Sequence, residues 1–348
     1  MIFVGSLNDT YATAGVGMAI IFVNLTTHSP IFGFNQAISV FVPVAYGQVD
    51  LKECERVLQR GRLICLMMYC PLVFVQLFCY HILVGAGIEE EVAANAQKFG
   101  IIFFIAIGVH MQFDCYRHYL NSTNQSRIVQ YAVSSTILVH LALCYTFVVW
   151  FDLGIIGVAM AMIATCSLNL LFVAGWAWKM TPEAVKPIPE RPWELLRPAD
   201  VKRHAEIGIP CLLMCCAEWW SYECLVILAS VISVGATGAI AISYNYFSLI
   251  FQFPYGFQIG AVAVIGNLIG EANEQRGKAA SMLVFVQATL LSILMGTLQY
   301  CNVESIAYAY TQDPDTVFLL ERCLSSQAFA IVMLGPLLSL QGSLKALQ

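Results

Sequence analysis

Two glutamates in the middle of a long apolar stretch are the residues of this sequence best placed to do chemistry. Glu218 and Glu223 lie in the segment Cys215–Glu223, inside an apolar run from about Ile207 to Val234. Such a run can cross a bilayer, which takes roughly 20 residues. A charged side chain at the bilayer centre costs on the order of 2.5–3.5 kcal/mol on insertion scales. Two acids kept at that depth therefore indicate a function.

The spacing of the acids indicates what they can bind. Five residues at about 100° each place Glu218 and Glu223 about 140° apart around a helix and about 7 Å apart along it. Tyr222 follows Glu218 by four residues and Trp219 precedes Glu223 by four, so each acid has an aromatic neighbour on its own face. A carboxylate beside aromatic faces suits an organic cation. The alternative is that the acids only form hydrogen bonds between helices.

The composition is that of an integral membrane protein. Hydrophobic residues make up 59% of the chain and charged residues 11%, whereas a soluble domain carries roughly 25% charged residues. The net charge of −5, without a basic patch, argues against a nucleic-acid partner. The 13 cysteines form no CxxC or Cys/His metal spacing, so we predict small buried residues, no metal and no cofactor.

Nine apolar runs predict the membrane-spanning helices and their orientation. They lie at about 14–46, 63–86, 99–120, 128–151, 154–178, 205–234, 237–269, 280–300 and 322–344. Pro30 and Gly33 should interrupt the first, and Pro254 should kink the seventh. All but two of the 17 Lys and Arg residues fall on one side of this arrangement, counting Lys345 after the last helix. By the positive-inside rule that side is cytoplasmic.

The chain also shows a repeat on either side of a Pro-rich connection at about 179–204, which resembles a linker. Gly33 is followed 14 residues later by Gly47, and Gly256 is followed 14 residues later by Gly270. Phe follows the first glycine of each pair, and a charged loop follows the second. Both pairs run toward the predicted cytoplasmic side, so the repeat is parallel.

Several motifs, in order along nearly the whole chain, resemble those of the multidrug and toxic compound extrusion (MATE) transporters, specifically the eukaryotic branch. The Glu218-Trp219-Trp220-x-Tyr222-Glu223 stretch is similar to the seventh-helix signature of that branch. The others are Ala45-Tyr46-Gly47 with Leu58-Gln59-Arg60, Arg117-His118-Tyr119-Leu120-Asn121, Leu153-Gly154-Ile155-Ile156-Gly157-Val158-Ala159, and Pro254-x-Gly256-Phe257 with Asn267-x-x-Gly270-x-x-Asn273.

This resemblance implies an all-α polytopic membrane protein with a two-lobed bundle of twelve helices, of which this chain holds about nine, the second to the tenth. Residues 1–178 would form an amino-terminal lobe that lacks its first helix. Residues 179–204 would be a cytoplasmic linker, and 205–348 a carboxy-terminal lobe that lacks its last two helices. We therefore expect the polypeptide alone to transport poorly.

The resemblance further implies a secondary active efflux transporter, not an enzyme, in the plasma membrane or a vacuolar or vesicular membrane. It would exchange organic cations, xenobiotics or metabolites for protons or sodium ions by alternating access. Glu218 and Glu223 would couple the proton or cation, and the substrate-cavity candidates are Trp219, Tyr222, Tyr244, Asn245 and Gln36. The alternatives are an inert or partner-dependent transporter fragment and, remotely, an intramembrane enzyme.

This chain departs from the family pattern at some polar positions. Ser39 stands where an Asp is common in the family's second helix, and no acid lies between Ser326 and Leu344. Coupling through several acids is therefore in question, whereas coupling through Glu218 is not. Outside the motifs, Asp114 is predicted to pair with Arg117, and His110 to be a packed polar residue rather than a relay.

Overall fold

The computed structural model describes residues 9–180, 192–311 and 313–348, and helices form nearly all of this part of the chain. In chain order they are α1 (Thr10–Val23), a π-helical segment (Asn24–His28), α2 (Ser29–Gly47), α3 (Leu51–Leu77), α4 (Cys79–Gly85), α5 (Glu90–Ser122), α6 (Ser126–Tyr145), a second π-helical segment (Thr146–Trp150), α7 (Gly154–Met180), α8 (Pro192–Leu195), α9 (Pro198–Ile232), α10 (Val234–Gly270), α11 (Glu274–Cys301), α12 (Val303–Tyr310) and α13 (Pro314–Ala346). The predicted all-α class is confirmed.

Eight of the nine predicted spans are confirmed as helices long and apolar enough to cross a membrane. The chain is thus a multi-pass membrane protein. The ninth predicted span is α9, a helix of 35 residues that carries Glu218 and Glu223. It is absent from those eight although it is long enough, at about 1.5 Å per residue. The count of eight covers only the described residues, and the side chains at 227, 230 and 231 of α9 lie outside them.

Side-chain caps decide where several helices begin. At Asp9, Asp50, Ser233, Asn273 and Asp313 a side-chain oxygen accepts a hydrogen bond from the backbone N–H three residues later. Each cap satisfies one of the N–H groups that the first turn leaves without a partner. The cap at position 50 starts α3 well before the apolar run at 63–86. The basic residues predicted to lie in a loop there are therefore helical.

The predicted interruption of the first span takes the form of a π-helical segment. Pro30 has no backbone N–H, so a normal α-helical hydrogen bond is lost at this point. The Ser29 hydroxyl and N–H both donate to the Asn24 carbonyl oxygen, the hydroxyl at 2.8 Å. Gly33, the other expected break, lies inside the regular helix α2. A Cβ atom there would come within 2.6 Å of the Leu212 Cα atom, so this glycine allows α2 and α9 to pack closely.

The chain divides into two compact units. The amino-terminal unit consists of the described residues of Met1–Val42 and Asp50–Cys216, and the carboxy-terminal unit consists of Pro43–Val49 and the described residues of Ala217–Gln348. This division crosses α9, whereas the sequence placed a linker at 179–204, of which 181–191 lie outside the described residues. The lobes at 1–178 and 205–348 stay a prediction.

Each unit is organised around one long helix. In the amino-terminal unit α5 packs against α1, α3 and α7, and in the carboxy-terminal unit α13 packs against α10 and α11. One core cluster of the carboxy-terminal unit consists of Ala239, Ala307, Val317, Leu320 and Leu324. Each of the two central helices therefore holds its neighbours in place.

Two of the repeated glycines meet inside the carboxy-terminal unit. A Cβ atom on Gly47 would lie 2.1 Å from the Asn267 carbonyl oxygen, and one on Gly270 would lie 2.2 Å from the Val44 carbonyl oxygen. The Cβ atom on Gly270 would also lie 2.9 Å from the Gly47 Cα atom. Backbone thus packs on backbone where α2 and α10 end, and no larger residue fits without displacing one of them.

Candidate carboxylate site

Helix α9 brings the predicted coupling acids into the carboxy-terminal unit. Glu218 and Glu223 are both partly exposed, as are Trp219 and Tyr222. The hydroxyl of Ser221 donates to the Glu218 backbone carbonyl oxygen at 2.6 Å. The two acids therefore lie in the interior of a long helix and have side chains that ions or small molecules can reach.

Aromatic rings from α10 meet the α9 signature. The Tyr222 ring lies 5.1 Å from the Tyr244 ring and 5.2 Å from the Phe247 ring, measured between centroids. The row of rings continues along α10. The Phe251 ring lies 5.9 Å from the Phe247 ring, and the Tyr255 ring lies 5.5 Å from the Phe251 ring. These contacts are in the range of favourable aromatic pairs. The rings fix Tyr222, and they form an aromatic wall beside the acids.

The two acids are connected through the two tyrosines. Glu218 interacts electrostatically with Tyr222, which follows it by one turn, and Glu223 interacts with Tyr244 on the neighbouring helix. Since the tyrosine rings touch, Glu218, Tyr222, Tyr244 and Glu223 form one group, called here the carboxylate site. The helical spacing predicted the Tyr222 neighbour. The link through Tyr244 depends on how α9 and α10 pack, which spacing along α9 does not show.

The position of Lys345 differs from the one predicted. It was placed after the last helix, but α13 continues to Ala346, and Lys345 lies in its last turn with 8% of its surface exposed. It interacts electrostatically with Glu218. The apolar run at 322–344 gave no sign of this, because the helix continues past the last apolar residue of the run. A cation of the protein itself is thus part of the surroundings of Glu218.

The other cavity candidates fall into two groups. Asn245, next to Tyr244, is exposed, and its amide donates to the Ala241 carbonyl oxygen of its own helix at 2.9 Å rather than to another helix. Gln36 is buried in the amino-terminal unit, and the Ser39 hydroxyl donates to its backbone carbonyl oxygen at 2.6 Å. Gln36 as a cavity residue stays a prediction.

The part that reasoning along single helices missed is the polar contact between α10 and α13. The Gln258 amide nitrogen donates to the Gln341 side-chain oxygen at 2.9 Å, and Gln258 is 5% exposed. Gln341 lies one turn before Lys345, so this contact fixes the face of α13 that carries the lysine. Within the described ranges, no three His, Cys, Asp or Glu side chains are arranged to hold a metal ion.

Comparison with known proteins identifies the family of this chain. A family model described as MatE matches residues 1–146 and 210–348 of this sequence. The chain belongs to the MatE family. It is 28% identical over 331 residues to the Multidrug and toxin extrusion protein 1 of Danio rerio, covering 94% of this chain and 55% of that protein. The protein of the same name from Homo sapiens is 27% identical over 322 residues, covering 92% and 55%.

Solved structures show the same fold. The eukaryotic MATE transporter AtDTX14 superimposes with a TM-score of 0.89 at 20% identity, over 99% of this chain and 77% of that one. A mutant of the Vibrio cholerae MATE transporter VcmN gives a TM-score of 0.90 at 16% identity, over 99% and 78%. The chain spans about half the length of the curated relatives that it matches, 55% in both cases given above.

Proposed function

We propose that this protein is an antiporter that exports organic cations or similar small molecules in exchange for protons or sodium ions by alternating access. Glu218 is its central coupling residue. The observation that carries the proposal is the carboxylate site, a pair of partly exposed acids deep in a helix of a MatE protein and bordered by aromatic rings. The relatives named Multidrug and toxin extrusion protein 1 support the same class of substrate.

The chemistry of the site suits exchange by mutual exclusion. A carboxylate away from water holds a proton more readily than one in water, because the charged form loses its hydration. An organic cation can offer the same positive charge, aided by the faces of Tyr222 and Tyr244. One negative charge binds one of these partners at a time. Loading from one side of the membrane therefore releases the other partner.

Lys345 can stabilise the state in which Glu218 binds neither a proton nor a substrate. Its ammonium group interacts with the Glu218 carboxylate, so it lowers the cost of leaving that acid charged when neither proton nor substrate is bound. Such a compensating charge matters because an uncompensated buried charge is strongly unfavourable. The lysine would favour the ionised acid, while the membrane environment favours the protonated one.

We assign Glu223 a smaller role in coupling than Glu218. It lies five residues after Glu218, about 7 Å further along α9 toward the side predicted to face outward. There it interacts with Tyr244. We expect it to attract cations to the site and to share them with Tyr244, without controlling the exchange of the proton.

The test is proton-driven efflux of ethidium, a fluorescent organic cation, from vesicles of cells that express this chain in a full-length context, because the polypeptide alone is expected to transport poorly. Glu218→Gln keeps size and hydrogen-bonding capacity but cannot titrate, so we expect it to abolish the response to a pH jump. Glu223→Gln should reduce the rate by a smaller factor. The amount of protein in the membrane is measured for each variant, so that loss of folding is separated from loss of coupling.

Glu274→Gln is the matched control, because Glu274 lies at the exposed start of α11, in an ion pair with Lys278. It should transport like the wild type. Wild-type efflux in Glu218→Gln would remove this acid from the mechanism. A larger loss in Glu223→Gln than in Glu218→Gln would reverse the roles assigned to the two acids.

A further inference from the structure

The amino-terminal unit contains a second group of titratable side chains, centred on His28 and His110. Their ring centroids lie 5.7 Å apart. Phe32 flanks the His28 ring at 5.8 Å, and Phe113 flanks the His110 ring at 5.6 Å. The four rings join the first span to α5. Their contacts place two imidazoles side by side within one compact unit.

This histidine pair lies deep in the spanning helices. His28 lies near the middle of the 37-residue span Tyr11–Gly47. His110 lies 12 residues before Ser122, the end of α5, or about 18 Å along the helix. Both side chains keep part of their surface exposed. A titratable group at such a depth is, by default, a candidate for ion binding.

His28 also occupies a special backbone position, the last residue of the π-helical segment. Single π-helical turns within α-helices are frequently found at functional sites. Local hydroxyls add hydrogen bonds around this turn, since Thr26 donates to the Phe22 carbonyl oxygen at 2.7 Å and Ser29 donates to that of Asn24. The distortion is therefore stabilised by its own sequence.

The charges next to the pair come from one helix. Asp114, one turn after His110, is fully buried and forms an ion pair with Arg117. Both act electrostatically on His28 and on His110. Asn35 of α2 donates to the Asp114 carboxylate at 3.2 Å. With neutral imidazoles the cluster is therefore uncharged overall, and its one acid remains close to any positive charge that is added.

Titratable groups of the neighbouring helices have other partners. On α3, the Arg62 guanidinium donates to the Gln112 side-chain oxygen at 3.1 Å, and the Tyr69 hydroxyl donates to the Phe104 carbonyl oxygen at 2.7 Å. On α5, His118 lies beyond Phe32, with its Nε2 atom 3.5 Å from the Asp114 carboxylate. On α9, the Cys211 carbonyl oxygen and the Cys215 Cβ atom lie next to Gly33.

We propose that His28 and His110 form a proton-binding site of the amino-terminal unit that holds a single proton shared by the two imidazoles. A neutral imidazole has one nitrogen that accepts a proton, so either ring can take it up. A second proton would place two cations 5.7 Å apart beside Arg117, which like-charge repulsion opposes. An organic cation is a poor ligand for two basic rings, and two histidines are too few for a structural zinc site.

This inference rests on the proposed antiport, to which the site adds a second coupled proton. The carboxylate site exchanges a proton for substrate, and the histidine pair binds and releases a proton in the other unit. The wild type should then move one more proton per ethidium ion than a variant without the pair. His28→Gln and His110→Gln should each lose that proton, and the double variant should lose no more than either single one.

The direct readout is histidine titration by NMR on the purified protein with labelled imidazoles, between about pH 5 and 8, the range in which histidine normally changes charge. We expect the His28 and His110 signals to titrate together, and His110→Gln to shift the midpoint of His28. His81→Gln is the control, because His81 is exposed on the short helix α4. Either single variant removes one of the two imidazoles that share the proton, so one that folds suffices for the test.

The outcomes separate this site from the main proposal. If Glu218→Gln abolishes exchange while both histidine variants keep the wild-type proton ratio, the histidine site is wrong and the antiport stands. If the two imidazoles titrate independently of each other, the shared proton is likewise wrong. If neither a proton gradient nor a sodium gradient drives ethidium efflux, the proposed function itself fails.

Discussion

Charged residues are used differently in the two units. In the amino-terminal unit Asp114 is fully buried and surrounded by partners, namely Arg117, Asn35 and the more distant His118. In the carboxy-terminal unit Glu218 is partly exposed, with Lys345 as a charged neighbour rather than part of a close network. A charge enclosed by partners stabilises a fold, whereas a charge left accessible can bind a passing ion. Burial and pairing are therefore the grounds on which we expect a structural role for Asp114 and propose a functional one for Glu218.

The largest effect on stability should come from Asp114→Asn. The change leaves the Arg117 guanidinium without its anion, and breaking a buried ion pair costs about 3–5 kcal/mol. Stability in detergent is measured by thermal unfolding. Glu274→Gln breaks a pair whose side chains are 80% and 76% exposed, so its melting temperature should stay close to that of the wild type. Equal effects of the two variants would contradict the difference between buried and open charges.

The carboxy-terminal unit should instead be sensitive at its glycine contact. Gly270→Ala forces a Cβ atom to within 2.2 Å of the Val44 carbonyl oxygen, and overpacking of this kind costs about 1–3 kcal/mol. The melting temperature should fall, and the fall should not depend on pH, because no titratable group takes part.

Gly256→Ala is the matched control in the same helix. A Cβ atom at Gly256 would meet nothing within 4 Å, and alanine is favoured over glycine inside helices by up to about 1 kcal/mol. This variant should therefore be as stable as the wild type or more so. If both glycine variants destabilised the protein equally, the close approach of α2 and α10 would not be what the glycine provides.

The smallest effect is expected for a charge outside the spanning segments. The Thr316 hydroxyl and backbone N–H donate to Asp313 and hold the pKa of that carboxyl below its usual value. Its contribution to stability is complete above the unfolded-state pKa, about 3.9, and is lost as the pH falls through the lower folded-state value. The melting temperature of Asp313→Ala should differ slightly from wild type at neutral pH and should approach it in acid.

The sequence predicted the spans and the face of α9 that carries Glu218 and Tyr222, because hydropathy and helical spacing act within single segments. Contacts between helices could not be predicted from patterns within single segments. Tyr222 meets Tyr244 only because α9 packs on α10, and Lys345 is buried because α13 continues past its apolar run. Charged residues are good helix formers, so the basic stretch after Leu51 was helix rather than loop.

The meeting of Gly47 with Gly270 has a consequence for biosynthesis. The two residues are 223 positions apart in the sequence, and a ribosome adds roughly 5–20 residues per second. Residues 43–49 therefore leave the ribosome roughly 11 to 45 s before the helix end that they pack against is made. During that interval the end of α2 has only temporary neighbours. A chaperone or insertase that shields this short segment would act until about residue 270 has been translated.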